Sequence, residues 1–146
     1  MVFGLVLLAT PGVVFEQWAE GRDFERYTPP GKLYDVGDHK LHLRCEGVGS
    51  PTVILEASGL GSALSFDEVL PLLAKRTRVC AYDRAGMGFS ERAGRALTSK
   101  ALAEELEGLL AAAKVEPPYV LAGASIGGLT VEMFARRNPQ AVAGLV

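Results

Sequence analysis

Tyr119-Val120-Leu121-Ala122-Gly123-Ala124-Ser125-Ile126-Gly127-Gly128 decides how this chain is read. The four apolar residues after Pro117-Pro118 have the makeup of a buried strand. Ile126 to Arg137 has that of a helix, stopped by Asn138-Pro139. Between them stands G-x-S-x-G. A serine on a sharp strand-to-helix turn is pushed out at the strand's C-terminal end, and the helix aims its first free N–H groups at the same spot. The flanking glycines have a steric job, because so tight a turn leaves no room for Cβ. Ser125 is therefore a candidate nucleophile for acyl transfer. A glycine-rich turn with Ser125 as an ordinary helix N-cap would carry the same short pattern, so the rest of the chain has to decide.

Two rival readings of the glycines fail on their spacing. Gly123 to Gly128 matches a phosphate-binding loop, but Leu129-Thr130 follow where Lys-Ser/Thr is needed. Gly59-Leu60-Gly61 and Gly86-Met87-Gly88 both lack the third glycine of a dinucleotide fingerprint. No cofactor and no metal site is expected.

Outward from the elbow, the chain alternates. Lys32 to Val36 and His39 to Cys45 read as a hairpin turning at Gly37-Asp38. Thr52 to Leu55 is a continuous apolar run, as in a strand buried on both faces. A short helix over Phe66 to Ala74 and a strand over Thr77 to Tyr82 follow. Ser99 to Lys114 is an amphipathic helix with Leu102, Leu106, Leu109, Leu110 and Ala113 on one stripe and Thr98 or Ser99 as N-cap. Val142 to Val146 begins one more strand. Such alternation predicts an α/β fold, a mostly parallel sheet with flanking helices. Ligands bind such sheets beyond the C-terminal strand ends. Three glycine-rich loops fall there: Glu56 to Ala63, Asp83 to Arg92 and the Ser125 elbow.

Composition sets wider limits. With 146 residues, 49% hydrophobic, and a net charge of −2, the chain is a globular domain with no basic patch for nucleic acid. Cys45 and Cys80 stand on separate strands without C-x-x-C spacing and read as buried free thiols. His39 and His42 have no metal-ligand spacing; His42 alternates with Leu41, Leu43 and Cys45, which puts it on the polar face of a strand in a structural or exposed role. Met1 to Phe15 is uncharged and mostly apolar, shorter than the ~20 residues a membrane span needs. A clipped membrane anchor, a weak signal segment and a packing arm all suit it, the anchor best. Residues 1–31 thus form an apolar segment and linker, and residues 32–146 the domain.

Three segments together resemble the α/β-hydrolase fold superfamily, of the serine hydrolase type. Val53-Ile54-Leu55-Glu56-Ala57-Ser58-Gly59-Leu60-Gly61-Ser62 resembles its strand and oxyanion loop. Tyr82-Asp83-Arg84-Ala85-Gly86-Met87-Gly88-Phe89-Ser90 resembles its D-R-x-G-x-G-x-S loop, and Gly123 to Gly128 its nucleophile elbow. The resemblance covers Lys32 to Val146. It implies Ser125 as nucleophile and the backbone N–H groups of Ile126 and Gly59 as the oxyanion hole. It gives Asp83 and Arg84 a scaffolding role. It also implies an N-terminal portion of a domain, truncated after about the sixth strand. Two departures stand out: Ala57-Ser58 in place of the usual His-Gly, and Ala124 in place of a histidine often found beside the nucleophile.

In this fold the triad runs serine, acid, histidine, and no histidine follows Ser125 here. Without a base, a serine hydroxyl is a poor nucleophile. The expectation is an esterase-like serine hydrolase forming an acyl-serine intermediate, present as an incomplete and by itself inactive chain. A non-catalytic binding protein of the same fold, or an inactive truncation, is the alternative. Peptide-bond cleavage and acyl transfer to another acceptor remain open; an aspartate-nucleophile chemistry is disfavoured by the serine. The expected partner is a small-molecule ester or amide, with membrane association through residues 1–15, and the expected location membrane-associated or cytoplasmic.

Overall fold

The computed structural model describes residues 27–146, apart from 95 and 97, together with residues 12, 15, 18 and 22. The anchor expected over residues 1–15 therefore lies almost wholly outside the described residues. Among these, no helix is long and apolar enough to cross a membrane.

Six strands form one sheet: β1 (Lys32–Asp35), β2 (Lys40–Glu46), β3 (Thr52–Glu56), β4 (Val79–Tyr82), β5 (Tyr119–Gly123) and β6 (Val142–Leu145). Their spatial order is β1-β2-β4-β3-β5-β6. The first two pairings, β1 with β2 and β2 with β4, are antiparallel; β4, β3, β5 and β6 run parallel. Among the described residues three helices flank it: α1 (Leu70–Leu73), α2 (Ser99–Ala112) and α3 (Ile126–Arg137), with single 3₁₀ turns at Ala63–Phe66 and Pro139–Ala141. This is the mostly parallel α/β architecture the alternation predicts.

Topology fixes where a site can form. The chain leaves β3 to one side to make β4, then crosses back to make β5 on the other side. The reversal opens a crevice beyond the C-terminal end of β3, where the loops after β3, β4 and β5 meet. Strand alternation supplies a core on each face. Ile54, Cys80, Tyr82 and Leu121 face Leu106, Leu109 and Leu110 of α2 and Val131 and Phe134 of α3. Leu55, Val79 and Ala81 face Leu70 and Ala63.

The helix termini follow local chemistry. The Thr98 side chain caps α2 by accepting the N–H of Ala101 at 3.1 Å. At its other end Lys114 turns left-handed (φ 53°), and the N–H groups of Lys114 and Val115 return to the carbonyls of Ala111 and Leu110. The helix expected over Phe66 to Ala74 is instead a 3₁₀ turn and the single turn α1. Pro71 explains the break: it has no N–H for the preceding turn and its ring would meet the carbonyl four residues back, so it stands in a first turn.

Two further expectations are corrected. Cys45 and Cys80 are not free thiols but a disulfide, with Sγ–Sγ 2.07 Å and Cα–Cα 4.0 Å. They face each other directly across antiparallel β2 and β4, a pairing set by tertiary register that sequence separation does not reveal. His42 is not on a polar face; it is fully buried, because the 83–92 loop folds over that side of β2. The Ser90 hydroxyl accepts the His42 N–H at 2.8 Å, and the Phe89 ring meets the imidazole edge-on at 5.2 Å. The structural role expected of it is the one observed.

The disulfide closes a loop with a sequence separation of 35. Such a cross-link restricts the unfolded chain, so reduction should lower stability by about 3–4 kcal/mol. Urea denaturation with and without reductant measures this, and coincident midpoints would reject it.

Candidate active site

The elbow is built as a backbone contact. Ser125 lies between β5 and α3 at φ 56°, ψ −121°, a conformation non-glycine residues rarely hold. The carbonyls of Ala124 and Ser125 accept the N–H groups of Gly127 and Gly128, each at 2.9 Å, and the N–H of Ala124 bonds the carbonyl of Glu56 at 3.0 Å. A Cβ on Gly123 would lie 2.7 Å from the carbonyl of Gly127, and one on Gly127 2.6 Å from that of Ala57. Both pattern glycines are therefore required: α3 starts in direct contact with its own strand and with the end of β3. The result leaves Ser125 exposed just beyond the C-terminal end of β5.

The loop after β3 comes alongside. A Cβ placed on Gly59 would sit 3.5 Å from Cγ2 of Ile126, so the two residues expected to supply the oxyanion hole are neighbours. Among the described residues, no protein acceptor takes the N–H of Gly59 or of Ile126. Ile126 is the first residue of α3, whose N–H has no partner within the helix.

Asp83 and Arg84, just beyond β4, organise the surrounding loops. The fully buried Asp83 carboxylate accepts the N–H of Ala63 at 2.6 Å and that of Phe89 at 3.0 Å, and pairs with His42 Nδ1 at 2.9 Å. Desolvation pushes its pKa up, but the bonds from His42 and the two amides outweigh that and hold it below the usual carboxylate range. Arg84 reaches the other way. Its Nη1 donates to Glu56 Oε1 at 2.9 Å and to the carbonyl of Ala57 at 3.0 Å; its Nη2 donates to the carbonyls of Ser58 and of Gly59, the latter at 2.9 Å. The scaffolding role the resemblance implied for this pair matches these bonds.

Glu56 and Tyr82 join the site without having been singled out from sequence. The Glu56 carboxyl is buried, with Oε1 on Arg84 and Oε2 on the Tyr82 hydroxyl. A sequence signal does exist: Glu56 is a lone charge closing an otherwise apolar strand, and such a charge needs partners. Neither histidine joins Ser125. His42 is held by Asp83, while His39 is buried between Asp38, at 2.6 Å, and Glu105, at 3.7 Å. Among the described residues no group of acidic, cysteine or histidine side chains is arranged to hold a metal.

Residues 51–146 match the family described as the alpha/beta hydrolase fold. The chain belongs to this family. It is 34% identical over 147 residues to an uncharacterised protein of Schizosaccharomyces pombe, an alignment covering 80% of this chain and 28% of that protein. It is 32% identical over 119 residues to the 2-hydroxy-6-oxo-2,4-heptadienoate hydrolase of Pseudomonas putida, covering 80% of this chain and 43% of that enzyme. Among solved structures, the enol-lactonase of Burkholderia xenovorans superposes with a TM-score of 0.72 at 26% identity, covering 78% of this chain and 45% of that one. The chain thus spans less than half the length of each of these relatives.

Burial also makes the site sensitive to pH. Desolvation pushes the Glu56 carboxyl up from 4.5 to about 8; Arg84 opposes this, and the nearby Glu105 adds to it. The folded protein then holds a proton that the unfolded chain has lost across that window. Stability should therefore fall as pH rises from about 5 to about 8. Glu56→Gln, which keeps an acceptor for Arg84 and puts an N–H donor toward Tyr82, should remove this part of the slope. Urea midpoints at pH 5.5 and 8 for both proteins decide it; identical slopes would count against the assignment.

Proposed function

We propose that this chain carries the nucleophile and oxyanion hole of an esterase-like serine hydrolase working through an acyl-Ser125 intermediate. One observation carries the reading: an exposed serine, held at an unfavourable φ on a strand-to-helix turn, stands at the first turn of α3 beside two backbone N–H groups that have no protein acceptor among the described residues. In this mechanism Ser125 Oγ attacks the carbonyl carbon of a small-molecule ester or amide. The carbonyl oxygen becomes negative and takes the N–H groups of Ile126 and Gly59. Collapse of the tetrahedral intermediate expels the alcohol or amine, and water then hydrolyses the acyl-serine. A hydrolase, a lactonase and an esterase among the relatives and solved structures agree with acyl-group chemistry.

The general base and its acid partner belong, in this proposal, to chain beyond residues 1–146. Both histidines are buried against carboxylates, so among the described residues no histidine stands beside Ser125 as a base. For location, we propose oxidising surroundings outside the cytosol, because the Cys45–Cys80 disulfide persists there and is reduced in cytosol. Acid quenching and alkylation of the natural protein tests this: two thiols labelled before reduction would place it in a reducing compartment.

A fluorophosphonate probe should label Ser125 in the full natural chain, with release of fluoride, and leave Ser125→Ala untouched. Hydrolysis of p-nitrophenyl acetate should fall at least about a thousandfold in the same variant. A folded full chain that neither reacts with the probe nor hydrolyses simple esters would reject the enzyme and leave a binding protein of this fold.

A further inference from the structure

We propose that Arg84 is a positioning residue for the oxyanion hole: by gathering the carbonyls of Ala57, Ser58 and Gly59 it orients the Gly59 N–H toward the oxygen that becomes negative. This rests on the reading of Ser125 as the nucleophile. The argument is one of peptide geometry. In a trans peptide the C=O and the N–H of one plane point in opposite directions. The Ser58–Gly59 peptide is trans, so an anchored Ser58 carbonyl determines where the Gly59 N–H points. Arg84 Nη2 holds that carbonyl, and the N–H of Gly61 holds it as well, at 3.0 Å. The same guanidinium anchors the planes on either side, through Ala57 at 3.0 Å and Gly59 at 2.9 Å. Three consecutive planes thus turn their carbonyls to Arg84 and their N–H groups away from it.

The guanidinium itself is not free to drift. It is 6% exposed, and Glu56 Oε1 takes Nη1 at 2.9 Å. Glu56 is in turn backed by Tyr82, and its carbonyl binds the N–H of Ala124 next to the nucleophile. One planar fork therefore connects the end of β3, the elbow and the oxyanion loop. A lysine keeps the charge but presents a single point rather than a fork, so it cannot hold three carbonyls in fixed planes.

The test is Arg84→Lys in the full natural chain, assayed with p-nitrophenyl acetate and with a trifluoromethyl ketone, whose hemiketal adduct with Ser125 Oγ mimics the tetrahedral oxyanion. The expected result is a loss of about a hundredfold in kcat with KM little changed. The trifluoromethyl ketone should weaken in parallel, while a plain methyl ketone of the same shape should not. A merely structural role would lower the melting temperature and spare this selectivity. Arg84→Gln carries the same test if the lysine variant does not fold, because Glu56 is largely protonated near neutral pH and no lone buried charge is left. Unchanged kcat, an equal loss for both ketones, or the absence of any folded variant would overturn the assignment while the wild type stays active. A wild type that does not react with esters removes the reading of Ser125 and this proposal with it.

Discussion

Asp83 and Arg84 are adjacent in the chain, both buried, and bonded to different parts of the molecule. A carboxylate and a guanidinium withdrawn from water are costly unless each finds partners. Here the partners are supplied by the segments that must be brought together. Asp83 takes the N–H groups of Ala63 and Phe89 and the ring of His42, joining the loop after β3, its own loop and β2. Arg84 takes Glu56 and three carbonyls of the β3 loop. Gly88 shows how closely the 83–92 loop must fold back: its φ is +50°, and a Cβ there would lie 2.4 Å from an Asp83 carboxylate oxygen. In this arrangement of the loops at the C-terminal end of the sheet, both charges find their partners.

The elbow depends on close approach of another kind. Among the described residues, two that are not glycine have positive φ, Lys114 and Ser125. Lys114 sits in a helix C-cap whose two returning hydrogen bonds offset the cost locally. At Ser125 the support is tertiary. Gly123 and Gly127 let α3 press against β5 and the end of β3, and the Ala124 N–H bonds across to Glu56. Strain of this sort, of order 1–3 kcal/mol, persists only where the surroundings over-determine the backbone. Here they do, because β3 and β5 pair over five residues immediately below the turn.

What could be read from the sequence follows the same division. Strands, helix caps and the glycine-bounded elbow are local patterns, and β2, β3, β5, α2 and α3 stand within a residue or two of where periodicity puts them. The Gly59–Ile126 juxtaposition was legible through the family resemblance, since two loops far apart in sequence share one sheet end. The disulfide was not, because the opposition of Cys45 and Cys80 arises from β2 returning antiparallel to β4. His42 misled for a related reason: its alternation with leucines was read correctly, but the face it points to is covered by a loop rather than by water. The α1 region shows competition within a short window, where apolar spacing favoured a helix and Pro71 limited it to one turn.

The departures from the family pattern in the loop after β3, proposed to supply an oxyanion donor, acquire a physical meaning from this arrangement. Ala57-Ser58 stands where His-Gly is usual. An oxyanion hole is made of backbone N–H groups, so its geometry depends on how the peptide planes are held and not on the side chains they carry. In this chain the holding groups lie outside the loop: Arg84 beyond β4, and Glu56 at the end of β3. Ala57 is buried, and its carbonyl lies so near Gly127 that a Cβ there would approach it to 2.6 Å. On the proposed reading Arg84, itself part of the loop pattern shared with the family, holds these peptide planes through their carbonyls, whatever side chains the loop carries.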